Sequence, residues 1–257
     1  MSNKILPVAL LCLSALPTLA QDLPPGLNSA RLLPGWTDEQ GNRIAALELD
    51  MQPGWKTYWR NPGDSGLPPH FDWRGSENLG DVTFHWPAPE AITSGDEVTL
   101  GYHDRLILPF TVTPAKAGQP IDLQATVDLG LCERICVPAH LDLTAMAAAK
   151  EPDPRITAAL DSQPQKGDGT VSCRAEPIAD GVRLRVDLSG RAARVAAMEL
   201  VGQPEVWVSL AEISDGAAVS DFVPPSGKPF DLRTDQVRIT LIGDAGAEEL
   251  TGCQSAS

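Results

Sequence analysis

Seven consecutive residues in the C-terminal part of the chain, VRLRVDL at 182–188, alternate apolar and charged side chains without a break. A β-strand sends successive side chains to opposite faces, so Val182, Leu184, Val186 and Leu188 share one face and Arg183, Arg185 and Asp187 the other. A sheet built from such strands must cover its apolar face with another layer. The same kind of short run recurs as IAALELDM, VTFHW, LILPFTVTP and IDLQATVDL before residue 130, and as EVWVSLAE and QVRITLIGD after 200. Gly, Pro, Asn and Asp separate the runs. Many short strands with turn signals between them predict an all-β chain of β-sandwiches. The pattern breaks over 144–170, TAMAAAKEPDPRITAALDSQPQKGDGT, where Ala, Pro, Gly and charge replace the β-branched residues. A short helix is expected around PRITAALDS, with Pro154 in its first turn. The expectation is two β-sandwich domains, 22–150 and 170–257, joined by a Pro/Ala-rich linker at 151–169. No internal repeat is evident.

The first residues, MSNKILPVALLCLSALPTLAQ, place Lys4 before an apolar run and TLA before Gln21. A charged start, a short apolar stretch and a small-residue cleavage site predict a signal peptide over 1–20, cut after Ala20. A spanning helix needs about 20 apolar residues, and this run is broken by Ser14 and Pro17. No later segment is apolar for long enough. The chain is therefore expected to be exported to the periplasm, with no direct membrane insertion. Its formal net charge is −14, with 20 Lys and Arg against 34 Asp and Glu. With no basic patch, a nucleic-acid or anionic-lipid partner is not expected.

Cys12 falls in the expected signal peptide, which leaves Cys132, Cys136, Cys173 and Cys253. An even count in an oxidising compartment predicts two disulfides. Cys173 opens the second expected domain and Cys253 closes it. A structural bridge there would close a long loop, worth ~4 kcal/mol in the chain-entropy account. Cys132 and Cys136 have only three residues between them. On one straight strand they would lie about 13 Å apart, whereas a disulfide needs Cα atoms roughly 4.4–6.8 Å apart. If they bond, Glu133, Arg134 and Ile135 must form the loop of a tight hairpin. That loop has no Gly, Asn or Asp to take a left-handed conformation, which predicts strain in the oxidised form and a labile bond. Closing so short a loop stabilises little. Arg134 favours a thiolate and Glu133 opposes it. Spacing alone leaves three readings open: a redox couple, a structural clip, and a metal site in which His140 joins two thiolates around a soft ion such as Cu(I). Val137-Pro138 argues against the helix that would align those three side chains.

Two other features have plainer readings. Gly63-Asp64-Ser65-Gly66 resembles the serine loop of trypsin-like proteases, but the first histidine, His70, follows Ser65, and those enzymes place the base and its Asp upstream. A Pro/Gly-rich turn is expected instead. Trp36, Trp55, Trp59, Trp73 and Trp86 all precede residue 90. Core packing is expected for most of them, with an exposed carbohydrate-binding row as the alternative. In GWKTYWR, Trp55, Thr57 and Trp59 share one strand face, and Lys56, Tyr58 and Arg60 the other.

Three stretches, GWKTYWRNPGDSGLPP, DEVTLGYHDRLILPFTVTP and ATVDLGLCERICVPAHLDL, resemble the N-terminal periplasmic domain of the thiol:disulfide interchange proteins DsbD and ScsB. Weaker similarity continues around VSCRAEPIADGVRL and VRITLIGDAGAEELTGC. The resemblance implies immunoglobulin-like sandwiches and a protein-disulfide reductase or interchange component, with Cys132 and Cys136 as the exchanging pair and no cofactor. It implies thioredoxin-like or disulfide-bearing periplasmic partners. Because neither membrane segments nor a thioredoxin-like C-X-X-C follow, a separate membrane electron donor is expected. It also implies a cap loop over the disulfide, mapping onto 95–104, with Asp96, Glu97, Val98, Leu100 and Tyr102 as shielding candidates. Cys173 and Cys253 are assigned a structural bridge, and no metal ligands are assigned. Cys132 is preferred as the attacking cysteine, since Pro138 restricts the surroundings of Cys136. The alternatives carried forward are a copper-binding protein and a non-catalytic adaptor with structural disulfides.

Overall fold

The computed structural model describes residues 23–255. The expected signal peptide lies outside them. The first part of the chain forms ten strands: β1 (Leu27–Thr37), β2 (Arg43–Met51), β3 (Lys56–Tyr58), β4 (His70–Asp72), β5 (Leu79–Phe84), β6 (Glu90–Ser94), β7 (Glu97–His103), β8 (Arg105–Pro114), β9 (Gln124–Cys132) and β10 (Cys136–Thr144). They build two sheets. One runs β1-β2-β8-β5, and the other runs β10-β9-β3-β7-β6 with β4 added on β9. The pairings within these sheets are antiparallel. Leu47, Leu49, Leu108, Phe110 and Val112 from the first sheet meet Trp59, Leu100, Val127, Leu129 and Leu131 from the second in one core. This is a β-sandwich, as the alternating runs require.

The tryptophans of this part are packing residues. Trp73 lies 5.0 Å from Phe110, centroid to centroid, and Phe84 lies 6.0 Å from Trp86. Trp59 and Trp86 belong to the core, and Trp55 and Trp73 pack against it. No exposed aromatic row exists among them. The exposed tryptophan is Trp207, in the second part.

The expected helix runs Pro154–Asp161. Asp153 caps it by accepting from the Arg155 backbone N–H, and Pro154 sits in its first turn. The segment around it does not hang free. Ile156 is buried against Leu33 and Ala46 on the outer side of β1 and β2. Arg155 reaches the buried carboxylate of Glu48, which also receives Arg31 and Arg105. Ala149 N–H donates to Gly35 O, and Ala88 N–H to Ser162 O.

The second part forms two more sheets. Strands Gln165–Lys166, Gly246–Thr251, Val237–Gly243 and Val195–Leu200 are neighbours in one. Trp207–Val208, Ala217–Val223, Gly181–Asp187, Val171–Ile178 and Cys253–Ser255 are neighbours in the other. Val182, Leu184, Val186 and Leu188 are buried, while Arg183, Arg185 and Asp187 are exposed. Cys173 and Cys253 are bonded and join adjacent strands, with Cα atoms 5.7 Å apart.

The two parts dock through the segment after β3. Arg60 Nη2 pairs with Glu199 at 2.9 Å and Glu249 at 2.7 Å, and its guanidinium carbon stacks 4.1 Å over the Trp59 ring. Asn61 donates to Met198 O, and Asp64 accepts from Leu210 N–H. Ala197 and Ile242 join the core cluster of the first part. The Gly63-Asp64-Ser65-Gly66 turn is thus a docking loop between the two parts.

Candidate functional site

β9 and β10 form a hairpin in which Cys132 and Cys136 are register partners, with Cα atoms 4.1 Å apart and the sulfurs bonded. The turn Glu133-Arg134-Ile135 takes no residue into the left-handed region. The strain expected from its lack of Gly, Asn or Asp therefore does not arise in the backbone. The two cysteines differ sharply. Cys132 is 2% exposed, whereas Cys136 is exposed and the neighbouring Ile135 is 76% exposed.

Alternation explains where the bridge points. Val127, Leu129 and Leu131 fill the core, so Asp128, Gly130 and Cys132 lie on the outer face of their sheet. Lys56 on β3 is the register partner of Cys132, which puts Lys56 and Tyr58 on that same outer face. Both are nevertheless buried. The Tyr58 hydroxyl lies 3.0 Å from Cys132 Sγ and 3.3 Å from Cys136 Sγ. Its ring passes over Gly130, where a Cβ would fall 3.1 Å from both Tyr58 Cε2 and Leu67 Cβ. Glycine here leaves room for the tyrosine to reach the sulfurs. Burial, and secondarily Glu97, raise the Tyr58 pKa, so the phenol remains a hydroxyl donor. Lys56 Nζ lies 3.1 Å from Ser94 Oγ and 3.2 Å from Thr99 Oγ1.

The expected cap loop is a regular hairpin of β6 and β7. Tyr58 faces Gly101 across β3 and β7, so Glu97, Thr99 and Gly101 lie on the disulfide's face, and Val98, Leu100 and Tyr102 on the opposite one. Leu100 and Tyr102 belong to the core, and the Tyr102 hydroxyl donates to Pro87 O. The shielding role assigned to Leu100 and Tyr102 is therefore corrected: period-2 alternation turns both inward, and Val98 has their parity. Asp96 and Glu97 are exposed at the hairpin end. Glu97 acts electrostatically on both Lys56 and Tyr58. Tyr58 and Lys56 are the site residues that sequence reasoning passed over. The pairing of Lys56, Tyr58 and Arg60 on one face was legible, but not that this face carries the cysteines.

His140 does not join the cysteines. It pairs across the hairpin with Asp128, whose carboxylate holds its Nδ1 at 2.6 Å and raises its pKa. Cys136 and His140 sit four residues apart on β10, about 13 Å along a strand. Cys136 and His140 thus lie on a strand and not on the helix that Val137-Pro138 argued against. Among the described residues no group of three or more His, Cys, Asp or Glu is placed to hold a metal ion.

Fold and site together define a β-sandwich with a disulfide across a surface hairpin, half covered by a buried tyrosine. Residues 29–148 match the family described as thiol:disulfide interchange protein DsbD, N-terminal. This part of the chain is a DsbD N-terminal-like domain, of immunoglobulin-like β-sandwich fold. Among solved structures, the N-terminal periplasmic domain of ScsB from Proteus mirabilis matches with a TM-score of 0.61 and 19% identity, covering 87% of this chain and 92% of that one. The likeness in fold thus extends beyond residue 148. Domains D2 and D3 of the major pilin SpaD from Corynebacterium diphtheriae align at 10% identity over 88% of this chain and 89% of that one, with a TM-score of 0.23, too low to bear on the fold. No curated protein matches the chain. No helix among the described residues is long and apolar enough to cross a membrane.

Proposed function

We propose that this chain is a periplasmic thiol–disulfide exchange module acting through Cys132 and Cys136. In this reading residues 22–150 form the exchange domain and 170–257 a second domain clipped by Cys173–Cys253. The observation that carries the reading is the asymmetry of the bridge: Cys136 is exposed beside a protruding Ile135, while Cys132 is buried under the Tyr58 hydroxyl. A thiolate of a partner protein attacks Cys136 Sγ, the bridge breaks, and Cys132 departs as a thiolate that receives the Tyr58 hydrogen bond. The partner's second thiolate then attacks its own sulfur of the mixed disulfide and frees Cys136. Two electrons have entered the pair and the partner is oxidised. Running the sequence backwards, the Cys136 thiolate attacks a disulfide of a second partner and Cys132 resolves the adduct. The attacking cysteine is accordingly Cys136, reversing the preference for Cys132 that Pro138 suggested. The partners in this reading are a separate membrane electron donor and thioredoxin-like or disulfide-bearing periplasmic proteins.

Trapping tests this. Cys132→Ser leaves the exposed Cys136 and is expected to accumulate a mixed disulfide with a periplasmic protein. Cys136→Ser leaves the buried Cys132 and is expected to accumulate far less. Absence of adducts in both variants, with the native bridge resistant to dithiols, overturns the reading.

A further inference from the structure

Of the charged side chains buried among the described residues, Lys56 is the one whose burial the fold does not explain. Arg43 and Glu48 are also buried. Arg43 donates to the carbonyls of Pro34, Ile121 and Met146, closing the end of the first sheet. Glu48 gathers Arg31, Arg105 and Arg155. Lys56 is 6% exposed, and its ammonium contacts only the two neutral hydroxyls of Ser94 and Thr99. No carboxylate among the described residues lies within ion-pair distance of it. Burying a cation without a paired anion is unfavourable. Its place in the sheet says where that charge is felt. Lys56 stands opposite Cys132 in the β3–β9 register, and its ammonium lies 6.0 Å from the centroid of the Tyr58 ring, whose hydroxyl reaches both sulfurs.

We propose that Lys56 is a positioning residue of the exchange site, whose buried ammonium pins the end of the β6–β7 hairpin and, beside Tyr58, favours the thiolate of Cys132. The inference rests on the exchange reading, since it concerns the sulfur that departs when Cys136 is attacked. A leaving thiol of lower pKa departs faster, and a nearby cation lowers a thiol's pKa. Lysine titrates near 10.4 when unperturbed. Burial lowers the Lys56 pKa and Glu97 opposes that, while Tyr58 keeps its proton for the sulfur. The other charged groups facing the bridge are Glu97 and His103 on β7 and Glu133 and Arg134 in the turn. His103 is paired with Glu90, and Glu133 with Arg134. Asp128 and His140 form their own pair two register positions further along. Lys56 is thus the buried cation of this set and Glu97 the carboxylate that counters it. Ser94 and Thr99 tie the two together, because holding the ammonium also fixes the hairpin end that carries Glu97.

The test is a titration of Cys132 in the full chain carrying Cys136→Ser, following thiolate absorbance in the ultraviolet against pH. Subtracting the same scan of the Cys132→Ser/Cys136→Ser variant removes every other contribution. Adding Lys56→Met is expected to move the Cys132 midpoint up by about one pH unit, a roughly tenfold loss of thiolate below it. Adding Glu97→Gln is expected to move it down, and Lys56→Arg to leave it near the parent value. Identical midpoints for Lys56→Met and the parent, or shifts of the same sign for Lys56→Met and Glu97→Gln, overturn the proposal. Should Lys56→Met fail to fold, a Glu97→Gln midpoint that stays put or rises also overturns it. No partner protein enters this titration, so its failure leaves the trapping result standing, and a failed trap leaves the titration to be read alone.

Discussion

Replacing Cys173 and Cys253 together by alanine is expected to destabilise the protein by roughly 4–5 kcal/mol, against roughly 2 kcal/mol for the same change at Cys132 and Cys136. The ordering follows from chain length. The first bridge closes a loop with a sequence separation of 80 and the second one of 4, and the entropy removed from the unfolded chain grows with the logarithm of the loop. Cys173 and Cys253 also sit in the core of the second part, beside Val171 and Val186 on neighbouring strands. Chemical denaturation of the two double variants measures the difference. Equal losses would falsify the division of labour between a structural and an exchanging bridge. The same division predicts the order of reduction. A mild dithiol is expected to open Cys132–Cys136, where Cys136 is exposed, before Cys173–Cys253, where both cysteines are buried. Alkylation followed by peptide mass analysis reads this directly.

Arg60→Met is expected to cost about 3 kcal/mol, because it strands the half-buried Glu199 and leaves Glu249 with only its longer 3.6 Å contact to Arg238. Burial opposes the charge on Arg60, but Glu199 and then Glu249 outweigh it, and its pKa stands above the ordinary arginine value. In a protein of this size that loss corresponds to a fall in Tm of roughly 6–12 °C. The methionine keeps the apolar contact with Trp59, so the effect isolates the charge. Combining Arg60→Met with Glu199→Gln and Glu249→Gln is expected to recover much of the loss, since both carboxylates that lost the guanidinium are then neutral and the charge left without its partner, Arg238, is partly exposed. A triple variant no more stable than Arg60→Met would mean that the site depends on packing and not on ion pairing. The same variant bears on the Cys132–Cys136 site. Arg60 follows Tyr58 by two residues, and the docking loop returns over the tyrosine at Gly66, where a Cβ would fall 2.9 Å from Tyr58 Cδ1. The second part therefore braces the loop that packs on Tyr58, the residue whose hydroxyl reaches the Cys132 sulfur.

Much of this was legible in local sequence. Alternation identified the strand at Val182–Leu188 and its buried face, because side-chain direction along a strand has period 2 whatever the strand pairs with. The helix at Pro154–Asp161 was legible for a similarly local reason, with Asp153 and Pro154 supplying its cap and first turn. The cysteine spacing required a turn at Glu133–Ile135, since a straight strand cannot bring residues four apart within bonding distance. The absence of an upstream histidine removed the protease reading of Gly63–Gly66, but nothing local indicated that this loop docks the second part. Its partners at Glu199 and Glu249 lie 139 and 189 residues from Arg60.

The faces were decided only by tertiary structure. Alternation divides β7 into two sets of residues, but the sequence does not say which set meets the core. Leu100 and Tyr102 turned out to face inward, and Glu97 shares the disulfide's side. Lys56 and Tyr58 read as the polar, outward face of a strand and are buried all the same, because the β6–β7 hairpin and the docking loop close over them. The asymmetry between Cys132 and Cys136 has the same origin. Local sequence distinguishes the two cysteines only by Pro138, which pointed to the wrong one in the exchange reading, and it is the tyrosine brought in from a strand 74 residues away that reaches both sulfurs while Cys132 is buried beneath it and Cys136 stays exposed.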